Sequence, residues 1–241
     1  MRHKFGEIRW KWLADRGINV VADPLQLAYM QSLWSPMGVV QAVFCEAKAG
    51  TGKTTLAVLA GAYEVEVGTY DKIIYLRNAI PVRDMGFLPG DVNQKELPYM
   101  MPLISTLDTI QPGLFDKWSK PDPQRREPPK VEATTSAFTR GLSWKRAFVI
   151  LDEAQSFDLE ELQTIYTRCS DDCKIVTIGS LRQNDNRKQR LYAGKTPFEV
   201  YMEHYRGTRV AFHTLETNYR GWFADHADDV QNTVKKIQEG A

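Results

Sequence analysis

Gly50, Gly52, Lys53 and Thr54 stand at a spacing that suits one kind of chemistry, the cradling of a phosphate chain. Glycine accepts positive φ and lets the backbone close around an anion, so that amide N–H groups and a helix N-terminus point at the phosphates. Lys53 can reach the β- and γ-phosphates of a nucleoside triphosphate, and the Thr54 hydroxyl can ligate Mg²⁺. Lys48, Ala49, Thr51 and Thr55 complete the loop. A second pair of chemical groups, Asp152 and Glu153, ends an apolar run from Ala147 to Leu151. Asp152 is placed to hold Mg²⁺, directly or through water, and Glu153 to orient and deprotonate an attacking water. A chance Gly-x-Gly-Lys-Thr and an Asp-Glu helix cap are the bland alternatives.

Such residues need a strand, a turn and a helix behind them, and the flanking sequence supplies these. Val39–Cys45 is mostly apolar and β-branched, as a buried parallel strand should be, while Leu56, Val58, Leu59 and Ala62 recur at helical spacing. The run before Asp152 reads as another buried strand, delivering its acids at the C-terminal edge where open α/β sheets bind ligands. Asp158 followed by Glu161 is a helix start, with Leu159, Leu162, Ile165 and Tyr166 along one face. A further strand, Lys174–Ile178, leads into Gly179-Ser180-Leu181-Arg182-Gln183. A polar tip on a strand beside the acid-bearing one suits a γ-phosphate sensor, with Gln183 the candidate and a loop without a role the alternative. The fold class is α/β.

Composition agrees with a soluble cytoplasmic enzyme. At 241 residues, 43% hydrophobic and 25% charged, the chain can bury a full core as one domain. A net charge of +1 exerts no global pull on nucleic acid, so any such contact must come from a local patch. There is no membrane-spanning apolar run, and the basic start at Met1-Arg2-His3-Lys4 leads into no signal-type segment. Cys45, Cys169 and Cys173 lack Cys-x-x-Cys spacing and read as reduced thiols, with a zinc site on Cys169 and Cys173 the minor alternative.

Two segments stand out along the chain. Residues 1–20 form a basic and aromatic N-terminal arm containing Arg2, Lys4, Phe5, Arg9, Trp10, Lys11, Trp12 and Arg16. It suits single-stranded nucleic acid, with cations on phosphates and rings on bases, and equally suits packing on a neighbouring subunit. Residues 117–130 carry four prolines, which forbid regular structure and predict a projecting loop. Lys117, Lys120, Arg125, Arg126 and Lys130 make it the best local basic patch, a solvated linker being the other reading.

The order Gly-Thr-Gly-Lys-Thr, Gly86-Phe87-Leu88-Pro89-Gly90-Asp91, Pro98-Tyr99, Arg140-Gly141, Asp152-Glu153-Ala154-Gln155 and Gly179 with Gln183 resembles the PhoH-like family of ATPases. The resemblance covers roughly residues 20 to 225, and Gly-Phe-Leu-Pro-Gly-Asp followed by Pro-Tyr is its most specific part. It implies a single RecA-like P-loop NTPase domain over residues 21–241, with a mostly parallel central sheet flanked by helices and kinship to superfamily 1 helicases. That kinship shows in Gln155 and in Thr217-Asn218-Tyr219-Arg220. By the same resemblance, Gln26 reads the adenine edge, although on sequence alone it is an exposed helix residue. Arg220, otherwise a surface arginine in a turn, would contact the γ-phosphate. The chain departs from the family at Ala47-Lys48, where Gly-Pro is usual, and at Gly179-Ser180, where Gly-Asp is usual. Ser180 is therefore expected to leave the metal side less acidic and basal turnover modest.

The implied activity is Mg²⁺-dependent ATP binding and hydrolysis coupled to RNA or single-stranded DNA, as in a nucleic-acid-dependent ATPase or helicase. Its rival is a nucleotide-gated protein-interaction or remodelling ATPase, and a small-molecule kinase comes third. A single core has no second core to enclose ATP, so a homo-oligomer such as a hexameric ring is expected, with Arg220 reaching across a subunit interface. Nothing beyond residue 225 is expected to hold a nuclease domain.

Overall fold

The computed structural model describes residues 9–78, 92–135, 143–181 and 190–239. Gly86–Asp91, Arg140-Gly141 and the candidate sensor Gln183 lie outside them. Among the described residues, six strands form one sheet: β1 (Val40–Ala47), β2 (Lys72–Arg77), β3 (Val131–Thr134), β4 (Ala147–Asp152), β5 (Lys174–Gly179) and β6 (Arg209–Leu215). Their order is β3-β2-β4-β5-β1-β6, and every pairing is parallel. All C-terminal strand ends therefore open on one edge. The acid-bearing β4 is separated from the loop-bearing β1 by a single strand, β5, as expected of a RecA-like core.

Around the sheet pack α1 (residues 9–14), α2 (Pro24–Leu33), α3 (Lys53–Glu66), α4 (Val92–Ile110), α5 (Leu114–Trp118), α6 (Leu159–Tyr166), α7 (Pro197–His204), α8 (Trp222–Asp228) and α9 (Val230–Gln238). Strand side chains alternate between faces. Phe148 and Ile150 of β4 join Ile73, Tyr75, Val176 and Ile178 in the core under α2 to α4. Ala147, Val149 and Leu151 turn the other way, onto Phe157, Leu162 and Ile165. β4 and β5 are buried throughout, so a continuous apolar run rather than an alternating one is what the sequence shows there.

Local signals set the helix starts. Asp23 caps α2 by accepting from the Leu25 and Gln26 N–H groups, with Pro24 in the first turn. Asp158 and Glu161 form the capping box of α6, and Thr196 with Glu199 forms that of α7.

The described part of the N-terminal arm is not a free arm. Leu13 is fully buried, the Trp10 ring meets Trp34, and the Trp12 ring meets Tyr63. Arg9 pairs with Glu64 at 2.8 Å and donates to the Trp34 carbonyl, while Arg16 lies over Trp12 at 3.6 Å. The two rings and Arg9 pack on Trp34 at the end of α2 and on α3, where burying apolar surface outweighs leaving it for a partner, and Arg16 stays on α1 itself. In the 117–130 segment, Lys117 and Trp118 are the end of α5, and the rest folds as a tight turn bridged between Asp122 and Glu127. Lys117, Lys120, Arg125 and Arg126 are exposed, and Lys130 pairs with Glu127 at 3.2 Å.

Candidate nucleotide site

β1 runs into a loop whose conformation depends on two glycines. Gly50 has φ +78° and Gly52 φ +81°, a region that costs other residues about 1–2 kcal/mol. Gly52 directly precedes α3, so the helix N-terminus opens into the loop. Ala47 does not have positive φ and is buried without strain. The loop is braced from below. Thr51 Oγ1 donates to the Lys48 carbonyl at 3.0 Å, and Lys53 Nζ donates to the same carbonyl at 3.0 Å. Gln26 Nε2 donates to the Thr51 carbonyl at 3.0 Å.

Gln26 is therefore not an exposed helix residue: it is 7% exposed, tied to the loop and open to the cavity. One N–H anchors the amide, leaving its carbonyl and second N–H for a base edge.

Ninety-eight residues separate Thr54 from Asp152, yet Thr54 Oγ1 donates to Asp152 Oδ1 at 2.9 Å. The Asp152 carboxylate is almost fully buried, which is costly without donors. It has three: Thr54, the Glu153 N–H at 3.1 Å and the Tyr75 hydroxyl at 2.6 Å. Burial first, then the Asp152 charge, pushes the Tyr75 hydroxyl well above the ordinary phenol range, so Tyr75 stays a donor. Glu153 sits in the left-handed region at φ +54°, an uncommon place for a non-glycine residue, and this aims its carboxylate back toward the cavity. Its Oε2 accepts from Gln155 Nε2 at 2.6 Å, and its Oε1 faces Arg77 Nη2 at 3.6 Å.

The segment after β6 closes the other side. The Tyr219 N–H donates to the Gly50 carbonyl at 2.8 Å, Asn218 Oδ1 accepts from the Arg220 N–H, and the Tyr219 hydroxyl donates to Asp23 Oδ2 at 3.0 Å. Burial pushes the Asp23 carboxyl up, but donors from Gln26, Thr217, Tyr219 and Leu25 outweigh it and the net shift is downward. Lys48 lies 3.7 Å from both Asp225 and Asp229, linking the loop to α8 and the residue that follows it.

The result is a cavity of about 920 Å³ lined by Gln26, by Ala49, Gly50 and Gly52 to Thr55 of the loop, and by Arg77, Asp152, Glu153 and Arg220, with Met101 and Thr106 of α4 among the facing residues; Thr51 is buried beneath it. Of the sequence candidates described, Gln26, Lys53, Thr54, Asp152, Glu153 and Arg220 all converge here. Arg220 lines the cavity of its own chain, with Tyr219 and Asn218 fastening its backbone to the loop beside it. Ser180 directly follows β5. Its side chain is wholly buried, and it reaches the site through its N–H, which donates to Gln155 Oε1 at 2.9 Å.

Sequence reasoning missed Arg77 and Tyr75. Lys72–Arg77 has the signature of β4, an apolar run ending in a charge, and that pattern would have found them.

Comparison with known proteins now adds to the geometry. The PhoH-like protein family matches residues 22–222. This chain belongs to that family. Protein PhoH2 of Bacillus subtilis (strain 168) is 37% identical over 145 residues, covering 58% of this chain and 31% of that protein. A PhoH-like protein of Synechocystis sp. (strain ATCC 27184 / PCC 6803 / Kazusa) is 35% identical over 144 residues, 59% of this chain and 42% of that protein. Protein PhoH of Escherichia coli (strain K12) is 31% identical over 172 residues, 71% of this chain and 46% of that protein. The chain thus spans less than half the length of each of these relatives. Family and sheet together make it an ATPase-like P-loop protein. Among the described residues no helix is long and apolar enough to cross a membrane.

Proposed function

We propose that this chain binds and hydrolyses ATP with Mg²⁺ and couples turnover to RNA or single-stranded DNA. The observation that carries the hydrolase reading is the Thr54–Asp152 hydrogen bond, which brings the phosphate loop and the Asp-Glu pair into one cavity. Hard oxygen donors suit Mg²⁺, and the described residues contain no cluster of three or more His, Cys, Asp or Glu that would cage an ion unaided. Thr54 and Asp152 therefore fit a Mg²⁺ that arrives with the nucleotide. It would neutralise charge on the β- and γ-phosphate oxygens.

The loop amides and Lys53 hold the phosphate chain, and Gln26 presents a carbonyl to the exocyclic amine of adenine. Glu153 takes a proton from water as the water oxygen attacks the γ-phosphorus. The bond to the β–γ bridging oxygen breaks, yielding ADP and phosphate. Arg220 stands beside Gly50 to meet charge developing on the γ-phosphate, within its own subunit.

Nucleic acid is favoured by the exposed basic turn. The test is ATP turnover with and without single-stranded RNA or DNA, in the wild type and with Lys117, Lys120, Arg125 and Arg126 changed to Ala. Stimulation, together with a salt slope flattened by up to about 0.7 per lost contact in the variant, supports the reading. No stimulation refutes it.

A second reading, a nucleotide-gated protein-interaction ATPase, draws on one observation: Trp222 and Phe223 are 71% and 80% exposed on α8, whose Asp225 reaches Lys48 of the loop. Oligomerisation into a ring is compatible with either.

A further inference from the structure

Both carboxylate oxygens of Glu153 are engaged, and the two contacts are unequal. Gln155 is a fixed partner: it donates to Oε2 at 2.6 Å while its own carbonyl accepts from the Ser180 N–H inside the protein. Arg77 is a loose one. Its Nη2 lies 3.6 Å from Oε1, beyond hydrogen-bonding distance.

Arg77 ends β2 in register with Asp152, so it leaves the sheet at the same level as the metal-side carboxylate and lines the same cavity. It approaches from the β2 side, whereas Arg220 enters after β6 at the opposite end of the sheet. Lys53, held low on the Lys48 carbonyl, lies between them in the order of the sheet. A partly exposed ion pair at this distance is weak. A guanidinium fork on phosphate oxygens is short, charge-assisted and frequently bidentate, and so displaces it.

We propose that Arg77 is a further cation for the terminal phosphate, beside Lys53 and Arg220. In this conformation it rests on Glu153, and with a nucleoside triphosphate in the loop it passes to the γ-phosphate. The inference rests on the nucleotide-binding reading above and adds a catalytic residue to it. Gln155 continues to orient Glu153 when Arg77 leaves, so the event that delivers a triphosphate also opens one face of the carboxylate. A diphosphate leaves Arg77 where it is.

The test measures binding of ADP and of a non-hydrolysable ATP analogue, each with Mg²⁺, by calorimetry on the wild type, Arg77→Ala and Arg77→Lys. In Arg77→Ala, affinity for the triphosphate analogue falls roughly 10- to 100-fold, the worth of a hydrogen-bonded charge contact, while ADP affinity stays within about twofold. Arg77→Lys keeps the charge, loses the fork and falls between. Unchanged ADP binding also reports that the variant is folded. Equal losses for both nucleotides, or no loss for either, overturn the role of Arg77. A wild type that binds neither nucleotide overturns the nucleotide-binding reading itself, and this inference with it.

Discussion

Gly50→Ala tests how the loop and the Asn218–Arg220 segment depend on each other. At φ +78°, an L side chain costs about 1–2 kcal/mol. The added Cβ would also lie 2.9 Å from Asn218 Cγ and 3.2 Å from Arg220 Cδ, too close for the Asn218 side chain to stay where it is. Moving it breaks the bond from the Arg220 N–H to Asn218 Oδ1 and strains the neighbouring Tyr219 N–H to Gly50 carbonyl bond, together about 1–3 kcal/mol at the usual net value per hydrogen bond. Gly68→Ala is the matched control. Gly68 has φ +79° just past α3, with nothing within 4 Å of its Cβ position, so it reports the backbone cost alone. Urea denaturation should place Gly50→Ala about 1–3 kcal/mol below Gly68→Ala, and ATP affinity should drop only in the former. Equal stabilities with unchanged ATP affinity would refute the coupling of loop and segment.

Lys53→Ala should lose ATP binding, whereas Glu153→Gln should bind normally and hydrolyse about two to four decades more slowly in a single-turnover assay. Equal binding losses would show that the two roles are not separate. Because Arg220 lines its own chain's cavity, mixing Arg220→Ala with Glu153→Gln subunits should restore no turnover; recovered activity would place the arginine in a neighbour's site. Burial lowers Lys174 from its ordinary 10.5 to about 7, although its ammonium donates to the Ser32, Ser35 and Val40 carbonyls. Between these values the unfolded chain holds a proton that the folded chain has released, so stability rises with pH there. The urea midpoint should increase across the lower part of this window, below the ordinary thiol range, and Lys174→Met should flatten that rise. A wild-type profile already flat would mean that the three carbonyls keep the lysine charged.

Much of the site was legible because its chemistry is local. A loop that must bend through left-handed φ needs Gly50 and Gly52 wherever it occurs, and a carboxylate pair delivered at a sheet edge needs an apolar run before it. The capping boxes at Asp158 and Thr196 are likewise short-range contacts between residues three apart. Gln26 was legible only in part: helical pattern put it on a surface, and the neighbouring strand order buried it against Thr51.

By itself, then, the sequence determined the kind of chemistry, the α/β class and the residues at the ends of β1 and β4, since these depend on backbone preference and on hydrophobic runs of strand length. Tertiary structure alone decided which distant groups share the cavity. Arg77 meets Glu153 because β2 pairs with β4, and Arg220 sits on its own loop because β6 pairs with β1. The Trp10 and Trp12 rings turn inward because Trp34 and Tyr63 offer them a surface to cover. Pairings between strands far apart in the chain follow from the packing of the whole sheet, and no short stretch of residues encodes them.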